Sequence, residues 1–407
     1  MIFKKFVESI FIGKTYWRMT PFAELAQVYL SRFLRTLSQS MVSVFVAVFL
    51  YQRGDSLVNI MLYVGGYYVL RILASFVSAY FVAWTGPKRA ILTSNILAIP
   101  ALVSLATLAQ HTTASTIGYF VFAGLSLSLF TIAADTQFSS IKRNRFVGHE
   151  LSWLHIVEKI AAGTAPLIGG LAAFWLGPES IMWAAAGLML LSAFPLFMTP
   201  ERTRRQKIIF RGLPKSQIKG QIFSYGVSGS NQTMTETIWP LFVAVVIFGT
   251  ATDAVYAQLG AVLSLALFVS IGVSHIYGML IDNRRGRELY LTGAGVNVVV
   301  HALRPLVATP LSVVLVNAFN EAGASAYQMS YIRSLYDMAD NLPGYRTAYI
   351  ATMMMGFCAG AALLAFLAAG LLWLFGTTAG FSYSFIAVAV LSLGLFAPGF
   401  KSLRRRR

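Results

Sequence analysis

The chain has 407 residues, of which 57% are hydrophobic and only 12% charged, and it carries a net charge of +17. Its apolar residues come in uninterrupted runs of about 20, enough to cross a hydrocarbon core of about 30 Å, and this excludes the soluble globular classes. The basic excess would suit a nucleic-acid partner, but most of the 32 Lys and Arg fall on one side of the apolar runs, with only Arg53 and Arg304 near the other face. That asymmetry is the positive-inside rule, and it removes the reason to invoke nucleic acid.

Residues 1–20, MIFKKFVESIFIGKTYWRMT, interleave apolar and basic side chains. Without a continuous apolar core they do not read as a cleaved signal, and a short amphipathic segment on the cytoplasmic interface is expected. Twelve spans are then predicted at 26–50, 58–83, 88–110, 115–137, 150–176, 179–198, 221–248, 254–281, 288–307, 309–335, 347–374 and 378–398. The first carries Arg32, Thr36, Gln39 and Ser43 on one face, with Arg35 close by, and the second holds Arg71 near its middle before Gly86, Lys88 and Arg89. Ser128, Thr131 and Asp135 mark the fourth, Asp135 nearest its inner end. Glu158 and Lys159 enter the fifth at a depth comparable with Arg35, so a Glu158–Arg35 pair is expected; GTAPLIGG follows, with Gly163, Pro166, Gly169 and Gly170 permitting close packing and a bend.

The basic stretch 199–219 divides the spans six and six, giving one bundle over 21–198, a second over 220–398 and a basic cytoplasmic tail at 399–407. Span seven repeats the polar stripe with Ser228, Gln232, Thr235, Glu236 and Trp239. Span ten places Asn317, Glu321, Ser325 and Gln328 on one helical face, Glu321 near mid-membrane. Asp337 matches Asp135 in position, and both are expected to meet loop arginines such as Arg143 and Arg287 as gate or structural residues. The lone Cys358 lies inside a span and reads as a packing residue.

FVAV occurs at 45–48 and again at 242–245, and SAYFVAWTGPKR at 78–89 aligns with GMLIDNRRGREL at 278–289, which points to a parallel duplication. Within the second loop, Gly278 lets helices approach closely, Asp282 can cap or pair, and Arg284, Arg285 and Arg287 can reach carboxylates or lipid phosphates. Gly278, Asp282, Gly286 and Arg287 stand at the spacing of the loop signature of the major facilitator superfamily, which the chain resembles. The resemblance implies two six-helix bundles, a central cavity lined by the first, fourth, seventh and tenth helices, and a loop that holds the halves together in one end state. The first-half loop keeps only Gly86, Lys88 and Arg89, with Ser78 and Val82 where the signature has Gly and Asp, so a symmetric double lock is not implied. GTAPLIGG resembles the fifth-helix signature of facilitator-type antiporters, with Ala165 in place of its glycine. The fourth-helix arginine of proton-coupled drug antiporters is missing, which weakens proton antiport of drugs; Arg71 is the candidate to supply that charge, with a structural ion pair as the alternative.

No phosphate-binding glycine loop, nucleophile motif or metal-ligand cluster is present; His155, His275 and His301 lack ligand spacing. Neither an enzyme nor a metal or cofactor is expected. Ionisable groups at hydrocarbon depth are costly and mark pathways, so Glu236, Glu321, Asn317, Gln328, Gln232, Arg35, Gln39 and Arg71 are the cavity and coupling candidates. The expectation is a monomeric secondary transporter of the inner or plasma membrane with both termini cytoplasmic. Its cargo would be a small apolar or amphipathic solute, with coupling to protons and a lean toward efflux. A transport-inactive scaffold or sensor of the same shape is the alternative.

Overall fold

The structure, a computed structural model, describes residues 22–107, 112–141, 147–195, 208–250, 254–342, 344–397, 399–400 and 403, with no side-chain description for a few of them. The expected interfacial segment 1–20, residues 199–207 of the linker, Arg143 and most of the tail lie outside these.

Every regular element among the described residues is helical: α1 Phe22–Gln52, α2 Leu57–Thr85, α3 Pro87–Ala106, α4 Thr112–Ile141, α5 Val147–Leu176 and α6 Pro178–Ala193 in the first half. In the second half, α7 begins as Lys215–Thr233 and continues through Met234–Ile238, Trp239–Phe242 and Val243–Phe248, followed by α8 Ala254–Asp282, α9 Gly286–Leu303, α10 Pro310–Asp340 and α11 Arg346–Ser392. The sequence punctuates them. Gly86 (φ 91°) closes α2 and Pro87 opens α3, where a missing N–H is harmless; Gly177 (φ 85°) and Pro178 repeat the device between α5 and α6. Thr309 and Ser312 form a capping box at the start of α10, with Pro310 in its first turn. After α8 the left-handed residue is Arg284 (φ 62°), while Gly286 is not left-handed and has open space where a Cβ would stand.

Eleven helical runs stand among the described residues where twelve spans are expected, because the chain from Arg346 to Ser392 forms one 47-residue run. A straight helix of that length would measure about 70 Å, over twice the hydrocarbon thickness. It is instead folded back at Gly376 (φ 73°): a Cβ at Gly380 would stand 2.7 Å from Leu372 Cα, and the Phe375 and Tyr383 rings lie 4.7 Å apart across the bend. Among the described residues, seven helices are long and apolar enough to cross a membrane. α6, α7, α9 and α10 are not among them: Gln232, Glu236, Asn317, Glu321 and Gln328 interrupt the apolar sequence of α7 and α10, Arg287 and Glu288 stand in the first turn of α9, and α6 is too short.

Within the first half α3 packs on α4 and α6, and α1 on α5 and α6; in the second, α7 packs on α11 and α9 on α10. The halves meet through α5 against α8 and α2 against α11. The α5–α8 seam is antiparallel and lined by small residues. Gly148 faces Gly278, Ser152 bonds the Ser274 carbonyl at 3.0 Å, Gly260 abuts the Pro166 carbonyl, and Gly170 abuts that of Tyr256. Gly226 and Gly229 of α7 likewise admit the backbone of Gly356, Phe357 and Gly360 in α11. Without Cβ atoms the two backbones approach to contact, the main source of helix association where lipid is as apolar as the core.

Candidate functional site

The loops rich in Lys and Arg define a basic end of the bundle. Between that end and the opposite one lies a cavity of two adjoining lobes, about 440 Å³ and about 220 Å³. Ser40, Ser43, Lys159, Gln232, Glu236 and Gln328 line both lobes, joining them into one space between the halves. An apolar cluster containing Phe45, Trp239, Tyr256 and Phe381 packs at the far end, and another containing Tyr29, Phe138, Leu154 and Tyr336 packs toward the basic end.

Glu321 is ion-paired. Its Oε2 accepts from Lys159 Nζ at 2.6 Å, a bond from α10 in the second half to α5 in the first. One turn toward the basic end, His155 Nε2 and Ser325 Oγ lie 3.1 Å apart across the same divide. Glu236 has a different setting: Gln232 Nε2, one turn away on its own helix, donates to it at 2.9 Å. It sits in the π-helical stretch Met234–Ile238, ahead of Pro240, whose missing N–H leaves the Glu236 carbonyl without its α-helical partner. π-turns of this kind recur at functional sites. Trp239 Nε1 donates to Asn317 Oδ1 at 2.6 Å and so fixes the wall of the smaller lobe.

Of the other expected cavity residues, Gln39 and Arg71 line the larger lobe, Asn317 the smaller, and Gln328 both. Arg35 lines neither. It is 2% exposed, donates to Asn95, to Ser94 at 3.2 Å and to Ser126 at 3.1 Å, and stacks over Phe130 at 3.9 Å. The expected Glu158–Arg35 pair is therefore corrected: Glu158 accepts from Arg32 at 2.7 Å, about one turn nearer the basic end. Arg35 is held by neutral oxygens of α3 and α4 through its two terminal nitrogens, and only Arg32 meets the α5 carboxylate.

The gate pairings are corrected too. Asp135 lies 3.7 Å from Arg32 and accepts from the Tyr336 hydroxyl at 3.0 Å, while Asp337 pairs with Arg333 one turn away at 3.2 Å. Neither meets Arg287, which makes no ion pair with a described carboxylate. Tyr336 is thus an uncharged link between the halves, which no pattern of charges in the sequence marks. Asp282 accepts the Gly148 N–H at 2.9 Å, at the first turn of α5, with Arg333 at 3.5 Å. A carboxylate at a helix N-terminus meets both free N–H groups and the positive end of the dipole. Gly278 lies where any side chain would collide with Ser152. On the first-half loop, Gly86 makes the turn, Lys88 is buried and Arg89 exposed. The span-five motif is packing: Pro166 and Gly170 meet α8, Gly169 meets the Met41 carbonyl of α1, and Gly163 is buried.

Arg304, expected near the outer face, is fully buried; it stacks over Trp239 at 4.8 Å and donates to Asn320 at 3.3 Å and Thr235 at 3.4 Å. Among the described residues no three His, Cys, Asp or Glu side chains are grouped to hold a metal.

An all-helical, apolar molecule with two halves joined along paired helices and a polar cavity between them belongs to the class of polytopic membrane proteins built around a central site. The sequence profile of the Major Facilitator Superfamily matches residues 28–259, more than half of the chain, and the chain belongs to that family. The fold is shared with a bacterial homologue of the iron transporter ferroportin in an outward-facing state (TM-score 0.68, 14% identity, covering 92% of this chain and 98% of that one). It is shared also with the human organic anion transporter MFSD10 (TETRAN), at TM-score 0.70 and 12% identity over 93% of this chain and 100% of that one. No curated protein matches.

Proposed function

We propose that this protein is a secondary transporter that carries a small amphipathic solute by rocking its two halves about the cavity. The observation that carries this reading is the Lys159–Glu321 bond, a charge pair at cavity depth that spans the halves and must break or re-form as they move. In this reading the folded-back run Arg346–Ser392 supplies spans eleven and twelve, and the bundles comprise residues 21–198 and 220–398. The basic end faces the cytoplasm, as do both termini, and the protein works as a monomer in the inner or plasma membrane.

Glu236 is the proton site in this proposal. It shares the cavity with Arg71, Lys159, Glu158 and His155, and with Tyr67, Tyr68 and Tyr327, and it lines the smaller lobe together with Glu321. Lys159 is committed to Glu321 and Glu158 to Arg32, so a proton on Glu236 removes a buried charge that is hydrogen-bonded by an amide and met by Lys159 and Arg71 only at longer range. A ligand or proton shifts an equilibrium only by its differential affinity for the two states, and the cost of that charge differs with cavity hydration. Efflux is the favoured direction, on the partial antiporter signature in α5.

The test is two-sided labelling of Ser43→Cys, a position on both lobes, in a Cys358→Ala background with a membrane-impermeant maleimide. Reaction from each face in oppositely oriented vesicles is expected. Access from one face only, or from neither, refutes alternating access and favours the scaffold.

A further inference from the structure

Among the buried arginines, Arg71 is set apart by what surrounds it. Arg32 meets two carboxylates, Arg35 three neutral oxygens, and Arg304 an amide, a hydroxyl and an indole face. Arg71 is 4% exposed, lines the larger lobe, and has no described carboxylate within ion-pair distance. Its Nε has no partner, as is also true of Arg35 and Arg304; its Nη2 reaches the Met354 thioether at 3.8 Å, and the guanidinium interacts with the Tyr67 hydroxyl and, at longer range, with Glu236. The Tyr67 and Tyr68 rings flank the guanidinium at 5.5 Å each. A planar donor fork held at the wall of a cavity, without the anion its burial calls for, is half of a bidentate site.

The rest of the lobe supplies the other half of the specification. Tyr119, Phe120, Phe357 and Met354 share its wall with the two tyrosines, so an apolar body can lie beside the guanidinium. The volume, about 440 Å³, falls in the range of small-molecule sites. The charges of Lys159 and Glu158 are used in ion pairs, and Glu236 is the remaining carboxylate of the lobe, which disfavours a second negative charge on the occupant. From these we infer that the transported solute is an amphipathic organic monoanion, its carboxylate or sulfonate seated on Arg71 and its apolar body against the aromatic wall. This rests on reading the cavity as the transport site.

The test uses three probes of one shape: 1-naphthalenesulfonate, neutral 1-naphthalenemethanol and 1-naphthylmethylammonium. Their binding to the purified full-length protein is measured by equilibrium dialysis and by thermal stabilisation. The sulfonate is expected to bind at least tenfold more tightly than the alcohol. Arg71→Gln should remove that preference while leaving alcohol binding within about twofold, and Arg71→Lys should keep part of it. Glu236→Gln should preserve or tighten sulfonate binding, whereas a site built for cations would lose the ammonium probe in that variant. Equal binding of all three probes to wild type, or preference for the ammonium, overturns the inference even if Arg71→Gln fails to fold. The Ser43→Cys labelling separates the two proposals: two-sided access without charge selectivity sinks the monoanion alone, and one-sided access with sulfonate selectivity sinks transport and leaves the monoanion as a bound ligand rather than cargo.

Discussion

Lys159 and Glu321 illustrate how a buried pair constrains its own variants. Each leaves the other as an uncompensated charge when removed, and breaking a buried pair from one side costs about 3–5 kcal/mol, whereas replacing both with apolar groups is often neutral. Both side chains retain some exposure to the cavity, 19% and 13%, so the penalty here should be smaller. Lys159→Met and Glu321→Gln are each expected to destabilise by about 2 kcal/mol, and Lys159→Met with Glu321→Leu to recover at least half of that. A thermal-unfolding double-mutant cycle in detergent reads the coupling directly; strictly additive losses would mean that the pair is not formed. Glu321 was legible in the sequence because Asn317, Ser325 and Gln328 mark its face at helical spacing. Its partner was not, since Lys159 stands more than 160 residues away on a helix whose own pattern is apolar, and no periodicity reports a bond between helices. Arg32 and Arg35 show the finer limit. Three residues apart, they differ by about 60° around α1 and about 4.5 Å along it, and that is enough to exchange a carboxylate for a set of neutral oxygens.

At the scale of elements, one buried arginine ties together the first, third and fourth helices of each half. Arg35 of α1 bonds Asn95 of α3 and Ser126 of α4; Arg304, just after α9, bonds Thr235 of α7 and Asn320 of α10. The duplication seen in FVAV and the paired loops is thus expressed as packing, although the arginine comes from a different helix in each copy. The glycine motif of α5 was legible as close packing but not as to its partner, which the structure identifies as α8. Gly260→Leu and Gly170→Leu should each force the α5–α8 backbones apart and cost several kcal/mol, as overpacking at a backbone contact does. Gly187→Leu, where no heavy atom stands within 4 Å of the added Cβ, is the control and should leave the melting temperature within about 2 °C. A Gly260→Leu protein as stable as the control would mean that the seam is looser than drawn.

The whole molecule is held at both ends, by different chemistry. At the basic end Asp282 caps α5 and takes Arg333, and Tyr336 reaches Asp135. At the other end Gln52 of α1 donates to the Thr250 carbonyl at 3.1 Å and accepts from the Tyr256 hydroxyl, while Phe45 meets the Tyr256 ring edge to face at 5.5 Å. If the halves rock, each set of contacts exists only while its own end is closed, so weakening one set moves the population toward opening at that end. A charge-assisted hydrogen bond contributes about 1.5–3 kcal/mol, and each 1.4 kcal/mol changes an equilibrium tenfold. Asp282→Asn should therefore raise the rate of Ser43→Cys labelling from the basic face by about tenfold and lower it from the opposite face. Gln52→Ala with Tyr256→Phe should do the reverse, by a smaller factor because the bonds lost are neutral. Opposed shifts from substitutions at the two ends, none of which lines the cavity, are what a two-state molecule requires and a rigid one cannot produce; labelling that rises from both faces in either variant would instead report loosening of the whole bundle.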